Sequence, residues 1–409
     1  MTNASPLEGI RVLDLSRILA GPSCTQTLAD LGADIWKIEE PKAGDDTRGW
    51  RPPEIGGEST YFQCCNRSKR SVALDLRHPE GQKLARRLVA EADILIENFR
   101  KGALDRYGLG VDEALKINPR LIYCSISGYG RTGPRADEAG YDFAIQAESG
   151  LMAITGVPEG EPMKHGVAIT DLVSGMNAVQ AILAALIARG RTGRGQHIDI
   201  ALFDSAVALL ANVASGHLGT GRTPGRFGNA HATVVPYQLF DTADGFFALA
   251  VGNDGQYRAM CMTVLERPDL ADDPRYVRNR DRVLNRDTLI PALAEAFRTR
   301  PTGEWIDRLK AAGVPAGQVR QVPEVFTAEE TLARGLVTET ADAVHGTLRL
   351  VASPLRLSDT PVREPKAPPR LGEHTSEVLR EVLGLAECEL ETLAAAGAIR
   401  LTPGATAAG

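Results

Sequence analysis

The stretch IRVLDLSRILAGPSCTQTLADLGADIWKI, residues 10–38, decides the fold. Ile10 to Leu15 reads as an apolar strand, Pro22 to Leu31 as a helix closed by Gly32, and Ala33 to Ile38 as the next strand. The pattern recurs downstream. Ser71 to Leu76 leads into a helix starting near Pro79, followed by Ile94 to Ile96, a short helix near Ala114 and the strand Leu121 to Ile126. Strands alternating with helices at this spacing need crossover connections, which predicts a mostly parallel, doubly wound, Rossmann-like α/β sheet covered on both faces. A long apolar helix from Asp171 to Arg189 ends in the glycine-rich run Gly190 to Gly195, and Gln196 to Ile200 reads as a further strand.

Beyond this the composition changes. Residues 216–230 are rich in Gly, Arg and Thr with little periodicity and read as a linker. Strands at Val234 to Phe240 and Phe246 to Val251, with helices near Gln256 to Leu265 and Gly303 to Ala312, predict a smaller α+β domain over 231–325. From Leu336 come more short strands, a proline-rich passage from Pro361 to Pro369, and terminal helices between Thr375 and Ala396. Residues 401–409 are small and polar and read as a disordered tail.

The chain has 409 residues, 43% apolar and 24% charged, enough for more than one core. Its 46 basic against 52 acidic residues give a net charge of −6, which disfavours a nucleic-acid surface. Six cysteines (24, 64, 65, 124, 261, 388) without Cys-x-x-Cys spacing, and seven histidines without a ligand pair at helical spacing, predict no metal site. The N-terminus lacks a basic segment followed by an apolar core, and apolar stretches are broken by Arg or Gly before they reach membrane-spanning length. The expectation is a reduced, soluble, cytoplasmic protein with no membrane partner.

Three local features could carry chemistry. Gly128-Tyr-Gly-Arg-Thr-Gly133 fits G-x-G-x-x-G after a predicted strand, but no helix opens behind it, so it reads as an ordinary glycine-rich loop. Asp171 sits at the start of the long helix with Thr170 as its expected N-cap. Unpaired first-turn amides and the helix dipole would stabilise its carboxylate as an anion, leaving it either a helix-start residue or a nucleophile. Basic residues gather in Asn66-Arg-Ser-Lys-Arg70, at Arg77, in Asn98-Phe-Arg-Lys101 and at Arg106, near predicted strand ends, where parallel sheets bind ligands. Together they suit a polyanionic nucleotide cofactor.

In the order Val12-Leu-Asp-Leu-Ser-Arg17, Ala20-Gly-Pro22, Leu28 to Ala33, Asn66 to Ser71, Leu74-Asp-Leu76, Glu97-Asn-Phe99, Asp171, Thr192 to Gln196 and Leu371-Gly-Glu-His-Thr375, the sequence resembles the class III CoA-transferase family, which includes formyl-CoA and carnitine CoA-transferases. The resemblance runs from Leu7 to about Ile399. It implies a large domain built from both chain ends, with 326–400 returning to 1–215 around the small domain, and an interlocked homodimer. It also implies that Asp171 attacks an acyl-CoA thioester, forming an aspartyl anhydride and then an aspartyl-CoA thioester that an acceptor carboxylate opens. Coenzyme A thioesters are then substrates, and no tightly bound cofactor is required.

The CoA positions that the resemblance implies are Arg17, Leu19, Ala20, Leu74, Asp75, Leu76, Arg77, Asn98, Phe99, Arg100, Arg106 and Ala139, Gly140, Tyr141, Asp142. Arg77 and Arg106 are expected at the phosphates, Phe99 and Leu74 at the nucleotide or pantetheine arm. Glu40 stands where formyl-CoA transferases carry an arginine, and Leu19 where they carry a glutamine. A substrate loop is implied at Gly252-Asn253-Asp254-Gly255, similar to members that move CoA between dicarboxylic acids, with succinyl-CoA as donor. Two other readings compete. α-Methylacyl-CoA racemases share the first domain but pair their aspartate with a Gly-His-Asp histidine, where this chain has Gly140-Tyr141-Asp142. A non-catalytic CoA-binding protein would leave Asp171 dispensable.

Overall fold

A computed structural model describes residues 4–342 and 346–402; the tail expected from 401 onward lies, after Thr402, outside the described residues. The chain forms two compact units. The first comprises the described parts of Met1–Leu151, His165–Ser215 and Glu330–Gly409, the second Met152–Lys164 and Gly216–Glu329.

The first unit is built on six parallel strands: β1 (Arg11–Asp14), β2 (Asp34–Glu39), β3 (Arg70–Ala73), β4 (Ile94–Glu97), β5 (Ile122–Ser127) and β6 (Gln196–Ala201). Their order across the sheet is β3-β2-β1-β4-β5-β6, the doubly wound arrangement whose direction of winding reverses between β1 and β4. Helices α1 (Ala20–Asp30), α2 (Pro79–Glu91), α3 (Val111–Ile117), α4 (Asp142–Glu148) and α5 (Ile169–Thr192) supply crossovers and connections.

Period-2 alternation explains the two layers. Leu13, Trp36, Leu95 and Tyr123 point to one face, where they meet Leu84 and Leu88 of α2 and the C-terminal residues Val378, Leu379, Leu390 and Ile399. Their neighbours Val12, Ile35, Ile94, Ile122 and Cys124 point to the other face, against Leu28 of α1 and Ala178, Ile182 and Ala185 of α5. Helices α1 and α5 approach closely because Gly175 has no side chain; a Cβ there would lie 2.7 Å from the Ala20 carbonyl oxygen. Contrary to the sequence expectation, one stretch is long and apolar enough to cross a membrane by length and composition. It is α5: its inward residues Ala178, Ile182 and Ala185 complete this core, while only 28% of the apolar stretch is buried and Met176 and Ile187 lie exposed.

The second unit has a three-stranded antiparallel sheet, Tyr237–Asp241, Phe246–Ala250 and Ala316–Gln318, around a core of Phe240, Phe247, Phe297 and Trp305. It also contains helices at Pro268–Asp272, Asn279–Leu284 and Arg286–Phe297 that the sequence reading did not register. Residues 216–220 finish the helix Ala211–Thr220, and 221–230 have no helix or strand.

Candidate active site

At the carboxyl ends of β1 and β4, where the winding reverses, the loop Arg17–Ala20 meets Asn98–Lys101. Such reversals open a crevice in any doubly wound sheet. Here the crevice is a cavity of about 180 Å³, and Asp171 lines it. Of the residues named from sequence, Arg17, Leu19, Ala20, Asn98, Phe99, Arg100, Ala139, Gly140 and Tyr141 line the same space. A neighbouring cavity of about 220 Å³ shares Arg17 and Phe99 and adds Leu74, Asp75, Leu76 and Arg77. The two hollows form one tract divided by Arg17 and Phe99, whose guanidinium and ring lie 5.2 Å apart.

The β1 loop is held from below. Asn98 accepts from the Arg17 amide at 2.9 Å and donates to the Arg17 carbonyl at 2.7 Å, pinning both backbone groups. Ile18 has φ of 72°, a left-handed conformation costly for a β-branched residue. Its amide donates to Asp45 at 3.3 Å, and the buried Cys65 thiol contacts its carbonyl at 3.6 Å. Asp45 also takes the Thr47 amide and hydroxyl and the fully buried Lys37 ammonium at 2.9 Å. Burial alone would raise Asp45, but Lys37 and the Thr47 donors outweigh it and lower the carboxyl to about 2.

Asp171 lies in the first turn of α5, but the helix begins differently from the sequence expectation. Ala168 is the N-cap and offers no side-chain acceptor. Thr170 is two positions beyond that cap; its amide (2.8 Å) and hydroxyl (2.6 Å) both donate to Asp142, while Gln146 donates to the other Asp142 oxygen at 2.6 Å. Asp142 therefore caps the helix from another element, and unlike Tyr141 it does not line the cavity. The glycine-rich loop serves this approach: a Cβ on Gly128 would lie 2.6 Å from Cα of Gly140, so only glycine lets the two backbones touch.

Contrary to the sequence expectation, the helix start does not keep Asp171 fully ionised. Among the described residues no hydrogen-bond donor reaches its carboxylate, and burial, followed by the nearby Asp142 charge, raises it to about 7. Near neutrality the group is therefore divided between acid and carboxylate, and the carboxylate fraction, poorly solvated, is a better nucleophile than an ordinary surface aspartate.

The basic residues separate into two groups. Arg100 and Lys101 are exposed in the cavity wall. Arg77 is exposed too but already bridges Asp75 and Glu40, each at 2.9 Å. Arg106 lines neither hollow; its guanidinium lies 5.2 Å from the Tyr107 ring, and Tyr107 lines the second hollow. Asn66–Arg70 does not face a ligand at all. Arg67 clamps Asp30 and the Val351 carbonyl, Lys69 is buried against Asp14, Asn66 and the Pro22 carbonyl, and Arg70 binds Asp34, Glu377 and Glu381. Their acidic partners are distant in sequence, which is why local reading took them for cofactor contacts.

Tyr61 went unnoticed in the sequence. Burial first and the Asp171 charge second raise its phenol to about 12, which places it in the surroundings of the carboxylate. Gly252–Gly255 belongs to the second unit, where Asn253 caps the helix Asp254–Ala259 by accepting from the Gln256 amide at 2.9 Å. Asp254 and Gly255 are thus helical, and Asp254 pairs with Arg282 at 2.9 Å. No group of three or more potential metal-ligating side chains converges among the described residues.

Comparison with known proteins follows the same lines. The model of CoA-transferase family III matches residues 7–375. Succinyl-CoA:glutarate CoA-transferase of Mus musculus is 43% identical over 394 residues, covering 96% of this chain and 90% of that protein. Succinate–glutarate CoA-transferase of Agrobacterium fabrum is 46% identical over 384 residues, covering 92% and 96%. Among solved structures, a CAIB/BAIF family protein from Brucella suis superposes with a TM-score of 0.83 at 45% identity, over 93% of this chain and all of that one.

Proposed function

We propose, from the premise that this chain belongs to CoA-transferase family III, that Asp171 is the nucleophile that carries CoA from one carboxylic acid to another. The chain is an enzyme of that class, with CoA thioesters and carboxylic acids as substrates. The observation that supports Asp171 is its half-buried carboxylate, without a hydrogen-bond donor among the described residues, opening on the cavity at the winding reversal.

In the proposed cycle the Asp171 carboxylate adds to the donor thioester carbonyl and the C–S bond breaks, giving a mixed anhydride and CoA thiolate. The thiolate attacks the Asp171 carbonyl and releases the donor acid, leaving an aspartyl-CoA thioester. An acceptor carboxylate displaces the thiolate from that carbonyl to form a second anhydride. Thiolate attack on the acceptor acyl carbon then frees Asp171. Bond energy is kept only if water stays out, and the scarcity of donors around Asp171 suits that requirement. Arg17, Asn98, Phe99, Arg100 and Tyr141 would hold the CoA along the tract, with Leu74 to Arg77 at its far end. Gly252–Gly255 is proposed to contribute to acid selection.

Succinyl-CoA is the proposed donor and a dicarboxylate such as glutarate the acceptor, supported by the mouse and Agrobacterium relatives. A racemase reading gains nothing from the geometry, since no histidine lines the cavity. The same proposal includes a homodimer and a cytoplasmic setting. An apolar face of α5 left open at Met176 and Ile187, 61% and 67% exposed, supports the former, and six free thiols the latter. Incubation with succinyl-CoA and a panel of dicarboxylic acids, followed by chromatography of the thioesters, tests the transfer. New acyl-CoA in stoichiometry with succinate is expected; hydrolysis to free CoA alone, or no reaction across the panel, refutes it.

A further inference from the structure

Ile18 is the strained residue of the β1 loop. Among the described residues four non-glycines have left-handed φ, namely Ile18, Ser68, Ala211 and Glu266, and only Ile18 is β-branched. A branched side chain in that region costs enough to shift a conformational equilibrium by about tenfold, where glycine would fit freely. Strain of this kind persists only when the surroundings over-determine it, and it gathers where a site must be preformed.

The surroundings here do so. The peptide group before Arg17 is held at both ends: its carbonyl, from Ser16, accepts from Lys37 at 3.0 Å, and its N–H donates to Asn98 at 2.9 Å. The peptide group after Arg17 is held likewise. Its carbonyl accepts from Asn98 at 2.7 Å, and its N–H, the Ile18 amide, is shared between both Asp45 oxygens at 3.3 Å. Those oxygens are themselves fixed, Oδ1 by the Thr47 amide at 3.0 Å and hydroxyl at 2.7 Å, Oδ2 by the Lys37 ammonium at 2.9 Å. The Lys37 and Asp45 side chains are 0% exposed, so they do not reach a ligand themselves. What they hold does: Arg17 lines both hollows, and Ile18, Leu19 and Ala20 line the Asp171 cavity.

We infer that Asp45 is a positioning residue for the transfer reaction. With Lys37 behind it, it keeps Ile18 left-handed before CoA arrives, so that Arg17 to Ala20 meet the CoA in their binding conformation. Without the carboxylate the loop relaxes, only a fraction keeps the strained form, and the apparent affinity drops by that fraction. Asparagine is no substitute, because in either orientation its NH2 group faces the Thr47 donors or the Lys37 ammonium. The inference rests on the reading of the crevice as the CoA site.

Equilibrium titration with CoA tests it as a double-mutant cycle. Asp45→Asn should weaken CoA about tenfold when Ile18 is present, but less than about twofold in an Ile18→Gly background, since glycine takes the left-handed form unaided. The unfolding midpoint should fall in both backgrounds, because Lys37 loses its partner whichever residue stands at 18. Equal losses of affinity in the two backgrounds, the mark of a merely structural Asp45, or no loss in either, overturn the inference. Wild type that binds no CoA overturns the crevice reading, and the inference with it. If Asp45→Asn does not fold, hydrogen exchange of the wild type carries the test. The Arg17 and Ile18 amides should be protected about tenfold or more before CoA is added; protection that appears only with CoA overturns the preformed loop.

Discussion

Two neighbouring regions of the first unit treat charge in opposite ways. Beneath the β1 loop, Asp14, Lys37, Asp45, Lys69 and the Arg67–Asp30 pair are buried and matched. Burial pushes Asp14 up, yet Lys69 and Lys37 with the Ser16 and Thr25 hydroxyls keep it below the usual carboxylate range. Above the loop, Asp171 is also withdrawn from water but finds no donor, and Arg100 and Lys101 stand open. Matched burial makes a rigid platform; unmatched burial stores reactivity.

The largest expected effect is in the platform. Lys69→Met leaves Asp14 short of its cation in a fully buried site and should cost about 3–5 kcal/mol in denaturant unfolding. A loss below about 0.5 kcal/mol, the scale of an ordinary surface change, would break the contrast. Asp171→Asn should do the reverse. A carboxyl whose folded value is about 7, against 3.8 for an ordinary aspartate, binds more protons folded than unfolded between those values. Stability therefore falls as pH rises through that window. Removing the carboxyl should raise the melting temperature at pH 8 relative to wild type and matter much less at pH 4. Equal differences at both pH values would contradict the stored-charge reading.

A smaller effect separates binding from folding. Arg100→Ala should weaken CoA about tenfold by equilibrium titration while leaving the unfolding midpoint unchanged, as expected for an exposed cation. The subtlest change is Asp142→Asn. It keeps a polar side chain under Thr170 but removes the charge that helps raise Asp171, so the acid limb of kcat/KM should move to lower pH. An unmoved limb would assign the rise to burial alone.

The alternating strands and helices were legible because strand periodicity and helix stops are local: Ile10 to Ile38 gave β1, α1 and β2 nearly to the residue. Helices over 268–297 were missed because they are short and Pro291 interrupts the longest of them. Asp171 and the loops after β1 and β4 could be named, whereas what surrounds them is non-local. Asp142 reaches Thr170 across 28 positions, and Arg67 meets Asp30 across 37. A run such as Asn66–Arg70 looks the same in sequence whether it faces phosphate or a buried aspartate.

The central claim is that Asp171 forms a covalent bond with CoA during transfer. Wild-type protein incubated with succinyl-CoA, quenched in acid and digested, should yield by mass spectrometry an Asp171 peptide bearing CoA, absent from Asp171→Asn along with acyl exchange. Exchange retained by Asp171→Asn, or the adduct on another residue, would contradict the account.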